Sequence, residues 1–291
     1  MLRSTIILLA LTLLPGSPAR AWGSVGHRML ATAALKDLPP DLAAWFAGHE
    51  ATLPDHANDP DHWKEHDRLE GPRHFLDSEY YGGAARVPLA EGDARRMLGA
   101  ATFQVAGQVP WTIQDREGQL VQAFAGGDPA AVALAASILS HYVGDLSVPL
   151  HTTVNYNGQV THQPGVHARW ESGLLERIVA AEGWVPDVRP AVLGTDPMDE
   201  PWAWLQGSFD LVPGVLADDM TAEQADGSAS ASGPARVPPD FGPEYWTTFL
   251  QLQEPHVKEQ LDLAAQRTAE MILMAWTQAG SPAAPPAQSS R

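Results

Sequence analysis

Asp128-Pro129-Ala130-Ala131-Val132-Ala133-Leu134-Ala135-Ala136-Ser137-Ile138-Leu139-Ser140-His141-Tyr142-Val143-Gly144-Asp145-Leu146, followed by Ser147-Val148-Pro149-Leu150-His151, carries the strongest structural signal in the chain. The Asp128 carboxylate is suited to accept from the unpaired N–H groups of a first helical turn, and Pro129 fits the first helical position. Ala-rich sequence without a breaker then predicts a helix running to about Leu146, ahead of Pro149. His141 and Asp145 stand four residues apart on it. Both therefore project from one face, about a turn apart, within reach of a common cation. His151, beyond Pro149, is placed to fold back toward that face.

Outward from this helix the same signature repeats. Met29, Leu30, Ala33, Ala34 and Leu38 keep close to a 3.6-residue period over Val25 to Leu38, where Pro39-Pro40 stops it. A short helix follows Asp41 through Ala47. Further helices are expected over Ala94–Val109, Ile113–Phe124, Gly165–Ala181, Trp202–Ala217 and Glu244–Ala279. Period-two alternation is scarce, so the expected class is all-α, a single multi-helix domain over residues 22–279. Residues 222–239, rich in Gly, Ser and Ala, read as a flexible surface loop, and the Pro/Ala/Ser tail 280–291 as disordered. No solenoid-type repeat is visible.

Residues 1–21 read as a cleaved signal peptide: Arg3 supplies the positive start, Ile6 to Leu14 the apolar run, and Ala19-Arg20-Ala21 the small-x-small cleavage site. Cleavage leaves Trp22 as N-terminus of a secreted or periplasmic protein with no transmembrane anchor. The chain has 291 residues, 35 Asp+Glu against 18 Lys+Arg, a formal charge of −17, 11 His and no Cys. Losing Arg3 and Arg20 takes the charge to −19. Without Cys there are no disulfides, thiolate metal sites or thiol nucleophiles, so any metal site must use His and carboxylate. The acidic balance argues against a broad basic face for nucleic acid or anionic membrane. It leaves open an enzyme that turns such substrates over.

His167 and Glu171 repeat the four-residue spacing on another predicted helix. His74 follows Gly71-Pro72-Arg73 and precedes Asp77, with further acids upstream at Asp55, Asp59 and Asp61. Any one pair reads as easily as a solvated contact. Their convergence points to a His/carboxylate metal centre, for which Zn²⁺ is suited. His49, His56, His62, His66 and His256 read as surface or loop residues. His162 does too, though its position in sequence also makes it a candidate for supporting a ligand.

The run His141 to His151 resembles the central motif of the zinc-dependent phospholipase C and S1/P1 nuclease superfamily, and the resemblance covers residues 22–182. Members are mainly helical and secreted, and bind three zinc ions, one of them through the amino group and carbonyl of an N-terminal Trp. The resemblance implies one zinc on Trp22, His27 and Asp145. It implies a second on His74, His141, Asp61 and a bridging Asp145, and a third on His151, His167 and Glu171. Asp61 is preferred to Asp55 because Lys64 follows it by three residues, where the nucleases carry a basic residue; Asn58 follows Asp55. A zinc-bound hydroxide would then attack a phosphodiester, with Asp61 orienting it and Lys64 adding positive charge.

Substrate choice stays open at this point. The short Trp22–His27 spacing, Lys64, and Phe75 and Asp77, where nucleases surround a base, favour a nuclease acting on single-stranded nucleic acid as a transient substrate. Phe75 reads equally well as a core residue. Glu171, the short His151–His167 interval and Val148 favour a phospholipase C acting on phospholipid head groups. A zinc-binding protein without turnover, its helices stapled by the ions, is the third reading. No stable protein partner is implied.

Overall fold

The computed structural model describes residues 22–193, 200–227 and 241–286. The protein is all-α. Successive helices cover Gly23–Ala33, Pro40–Ala43, Thr52–His56, Asp59–Trp63, Glu91–Leu98, Ala100–Ala106, Val109–Gly126, Pro129–Leu146, 166–182, Glu200–Ala225 and Pro243–Gln278, with short 3₁₀ turns between them. Among the described residues there is no strand, only an isolated bridge between Leu76 and Gly107.

The helix Pro129–Leu146 is the axis of the molecule. Its N-cap forms as the sequence requires, with the Asp128 carboxylate accepting from the Ala130 amide at 3.0 Å. It packs against Thr52–His56, Val109–Gly126 and Pro243–Gln278, so most of it is enclosed and every residue from Ala136 to Leu146 is buried. Such a helix is apolar nearly all round because it faces protein nearly all round. Among the described residues it alone is long and apolar enough to cross a membrane, and here most of it is buried in the interior. Its few hydroxyls are tied off: Ser137 donates to the Leu53 carbonyl at 2.6 Å and Ser140 to that of Ser137 at 2.7 Å. Ser208, on Glu200–Ala225, donates to the Leu146 carbonyl at 2.7 Å, satisfying an acceptor that the helix end leaves open.

Several boundaries differ from expectation. The first helix stops at Ala33 rather than Leu38, because the Lys36 amide closes a tighter turn onto Ala33. The helix Glu200–Ala225 runs past the expected Ala217 and through Pro213. Val215, Asp219 and Ala222 form a buried stripe against the last helix, and that burial outweighs the local breaker. Residues 222–225 of the expected loop are therefore helical, while 228–240 lie outside the described residues. The tail is not free from Gly280: the Pro282 carbonyl accepts from the indoles of both Trp45 and Trp276 at 2.9 Å, and Ala284 packs on the core. Residues 1–21, the expected signal peptide, and 287–291 lie outside the described residues.

The segment expected as one regular helix over Gly165–Ala181 holds a π turn, Arg169–Leu174, inside 166–182. Two contacts accompany it, one half-buried and one buried. Gly173 lies so close under Trp246 that an added Cβ would stand 2.7 Å from the ring, and the Arg169 guanidinium is bound by Asp219 through both carboxylate oxygens. The widened turn carries Glu171.

Candidate metal centre

Six separate segments converge at the C-terminal end of the central helix. That helix brings His141 and Asp145, the first helix brings His27, and Asp59–Trp63 brings Asp61. The 3₁₀ turns Gly71–His74 and Pro149–Thr152 bring His74 and His151, and 166–182 brings His167 and Glu171. Close approach is possible because Gly144 has no side chain: a Cβ there would meet the His27 ring at 3.1 Å. His27 instead stacks on His141, ring centroids 4.1 Å apart.

Asp145 occupies the middle of this arrangement. Its Oδ1 is 3.4 Å from His27 Nε2, and its Oδ2 is 2.8 Å from His74 Nδ1 and 3.4 Å from His141 Nε2. Asp61 Oδ1 lies 3.8 Å from both His74 Nδ1 and His141 Nε2, and 2.5 Å from Lys64 Nζ. Asp55, the other candidate, is largely exposed and paired with Arg28 at 3.1 Å. On the opposite side Glu171 Oε2 is 3.0 Å from His167 Nε2 and 3.7 Å from His151 Nε2.

Ring orientations are fixed from behind. His141 Nδ1 donates to the Ala57 carbonyl at 2.7 Å and His151 Nδ1 to the His74 carbonyl at 2.6 Å, which turns each Nε2 inward. Three groups have candidate ligand atoms all within 4.8 Å of one another: His27, Asp61 and His141; His74, His141 and Asp145; His151, His167 and Glu171. Both nitrogens of His27 and of His167, together with His151 Nε2, Asp145 Oδ1 and Glu171 Oε1, are buried without a hydrogen bond. Each such group costs about 1–3 kcal/mol when it has no partner. Their concentration in one place, with only imidazole and carboxylate donors, fits a site built to hold cations such as zinc.

The electrostatics point the same way. Burial pushes the Asp145 carboxyl up, but His141, His151, His27 and His74 outweigh it and hold it well below the carboxylate range. Glu171 is likewise lowered against burial by His167 and His151, and Asp61 by His141 and Lys64. Burial drives His141 down to about 3, whereas Asp145 draws His74 and His151 up despite their burial.

Trp22 is at the centre. Its backbone nitrogen lies 3.2 Å from Glu171 Oε2. Its indole is fully buried and donates to the Gly144 carbonyl at 2.8 Å. Phe75 and Asp77 line a segment held between two neighbours: the Leu76 amide donates to His151 and that of Asp77 to Ala106. Gly107 at φ 87° allows this, since a Cβ there would sit 2.2 Å from the Phe75 carbonyl oxygen. Phe75 is half-buried and stands outside the main core cluster. Burial, reinforced by Glu79, pushes the Asp77 carboxyl up to about 7.

His62, His66 and His162 are exposed, and His49, His56 and His256 are half-buried. None belongs to the three groups. Sequence reasoning missed Glu70, which is buried against His74. Its signal was the same four-residue spacing, with the acid placed before the His instead of after it.

The model of the family described as S1/P1 Nuclease matches residues 22–182. The chain belongs to the S1/P1 nuclease family. No curated protein matches the chain significantly. The matched span contains every residue of the three groups, and family membership supports a nuclease-type phosphodiesterase. The helices Glu200–Ala225 and Pro243–Gln278 lie beyond the match and enclose the site helices from outside.

Proposed function

We propose that the protein is an exported, zinc-dependent phosphodiesterase that hydrolyses single-stranded nucleic acid and holds three zinc ions. One zinc is held by Trp22, His27 and Asp145, a second by Asp61, His74, His141 and Asp145, and a third by His151, His167 and Glu171. The observation that carries the reading is the set of buried, unpartnered imidazole and carboxylate atoms gathered inside the span that matches the family. Export with cleavage before Trp22 gives that residue a free amino group, and its nitrogen lies 3.2 Å from Glu171 Oε2 at the edge of the third group.

When bound, zinc would supply Lewis-acid chemistry, lowering the pKa of a water toward neutral and countering phosphate charge. The chain's own groups do the rest. Asp61, kept ionised by His141 and Lys64, orients the attacking water through its carboxylate. Lys64 presents an ammonium beside it for a phosphate oxygen. Phe75 offers a half-buried ring on which a base can stack, and Asp77, titrating near 7, can donate or accept at a base edge. No thiol exists to act as nucleophile.

Phospholipid head groups are the second reading, favoured by the Glu at position 171 and by Val148. The chain from Trp22 onward, assayed on single-stranded DNA, RNA and phosphatidylcholine, should cleave the nucleic acids and lose that activity with a chelator. Hydrolysis of lipid alone would replace the nuclease reading with the phospholipase one. Chelator-resistant activity would remove zinc from the mechanism.

A further inference from the structure

Glu70 is 1% exposed, and its carboxylate is engaged on all sides. Oε1 accepts from the Tyr142 hydroxyl and lies 3.3 Å from His74 Nε2, an ion-pair contact outside hydrogen-bond geometry that leaves this buried nitrogen with no other partner, while Oε2 accepts from Arg73 Nη1 at 2.7 Å. The other nitrogen of the same ring, His74 Nδ1, faces Asp145 Oδ2 at 2.8 Å and His141 Nε2 at 3.0 Å. His74 is thus clamped between a carboxylate behind and the centre in front.

An imidazole can offer one lone pair to a cation only if its proton sits on the other nitrogen. A carboxylate behind the ring fixes that proton and makes the facing nitrogen a stronger base. His141 and His151 are held from behind by neutral backbone carbonyls, of Ala57 and His74. His74 instead has a charged group behind it, at ion-pair distance, and its ring is turned the opposite way, with Nδ1 inward. A buried carboxylate is costly to maintain without partners, and Arg73 and Tyr142 supply them, with the Arg116 guanidinium over the Tyr142 ring at 5.4 Å.

From this geometry we infer that Glu70 is a positioning residue: it holds the His74 proton on Nε2 and so directs Nδ1 to the cation shared with His141 and Asp145. The role rests on the zinc reading above. Three features follow from it. Removing the charge should weaken one zinc and leave the group His151, His167 and Glu171 intact. Turnover should fall through kcat more than through KM, since Glu70 does not touch substrate. Tyr142 should act in the same direction through Glu70, more weakly.

The test compares the native chain from Trp22 onward with Glu70→Gln and Tyr142→Phe. Zinc affinities are measured by competition with a chromophoric chelator, and the His74 Nε2–H resonance is followed by NMR in the zinc-loaded proteins. Glu70→Gln is expected to weaken one zinc by about 10–100-fold, leave the other two at native affinity, and move that resonance upfield. Tyr142→Phe is expected to weaken the same zinc to a smaller degree. Native affinity at every site in Glu70→Gln overturns the role, as does equal weakening of all three together with a matching fall in Tm of the zinc-free form. If Glu70→Gln does not fold, Tyr142→Phe stands in its place: selective loss supports the role and unchanged zinc overturns it. A native chain that takes up no zinc overturns the zinc reading itself, and the role with it. A native chain that takes up zinc while Glu70→Gln matches it overturns the role alone.

Discussion

Asp145 is the residue on which the centre turns, because its two oxygens face different partners: Oδ1 toward His27, Oδ2 toward His74 and His141. The side-chain partners of Glu171 lie in the group on the other side, with the Trp22 backbone nitrogen beside it. Charge neutralisation at the two positions should therefore have unequal reach. Asp145→Asn is expected to remove two zinc ions and lower activity by several orders of magnitude, whereas Glu171→Gln should remove one; metal counting on the dialysed proteins reads the difference, and equal losses would contradict the proposed sharing. Most of this was legible in sequence, since helical spacing alone put His141 with Asp145 and His167 with Glu171. What was not legible was the third pair, Glu70 with His74. It sits at a Gly-Pro-containing 3₁₀ turn, where no periodic helix announces that the two residues share a face.

At the scale of elements, local grammar was enough wherever cap, composition and stop agree. The central helix begins at Pro129 and ends at Leu146 as read from Asp128 and Pro149. It was insufficient where tertiary burial overrules a breaker, as at Pro213, or where tertiary contacts accompany a π turn, as over Arg169–Leu174. Gly144 shows how an element serves the site. In isolation Gly144→Ala should strengthen the central helix by about 1 kcal/mol. In place, the added methyl meets Leu30 Cδ2 at 2.8 Å and the His27 ring at 3.1 Å, an overpacking cost of about 1–3 kcal/mol. Leu30 can move its terminal methyl, but His27 is confined between Gly144 and His141. The substitution should therefore leave Tm within a few degrees of native while weakening a zinc held by His27. A titration with competing chelator checks this, and unchanged affinity would mean that Leu30 absorbs the whole clash.

For the whole molecule, the acidic charge disfavours an extended grip on nucleic acid, but three zinc ions bound as proposed would outweigh the charge of the proposed carboxylate ligands Asp61, Asp145 and Glu171. The acidity has a separate consequence for stability, at Glu117. This side chain is 3% exposed, on Val109–Gly126, and its Oε1 accepts from the Gln278 amide of the last helix at 2.8 Å, so it joins the matched half of the chain to the half beyond it. Burial, with a contribution from Glu200, pushes its carboxyl up to about 7 from an ordinary 4.5, against the Gln278 hydrogen bond. Between these values the folded protein binds more protons at this position than the unfolded chain, so stability falls as pH rises through that window and the loss is complete above about 7. Glu117→Gln keeps an acceptor for Gln278 and removes the titration. It should match the native protein in Tm near pH 4.5 and exceed it at pH 8 by several degrees, corresponding to on the order of 1–3 kcal/mol. Calorimetry at the two pH values measures this directly. A difference that does not grow with pH would mean that Glu117 is already ionised in the fold near pH 4.5, and that the contact between the two halves carries a charge throughout this range.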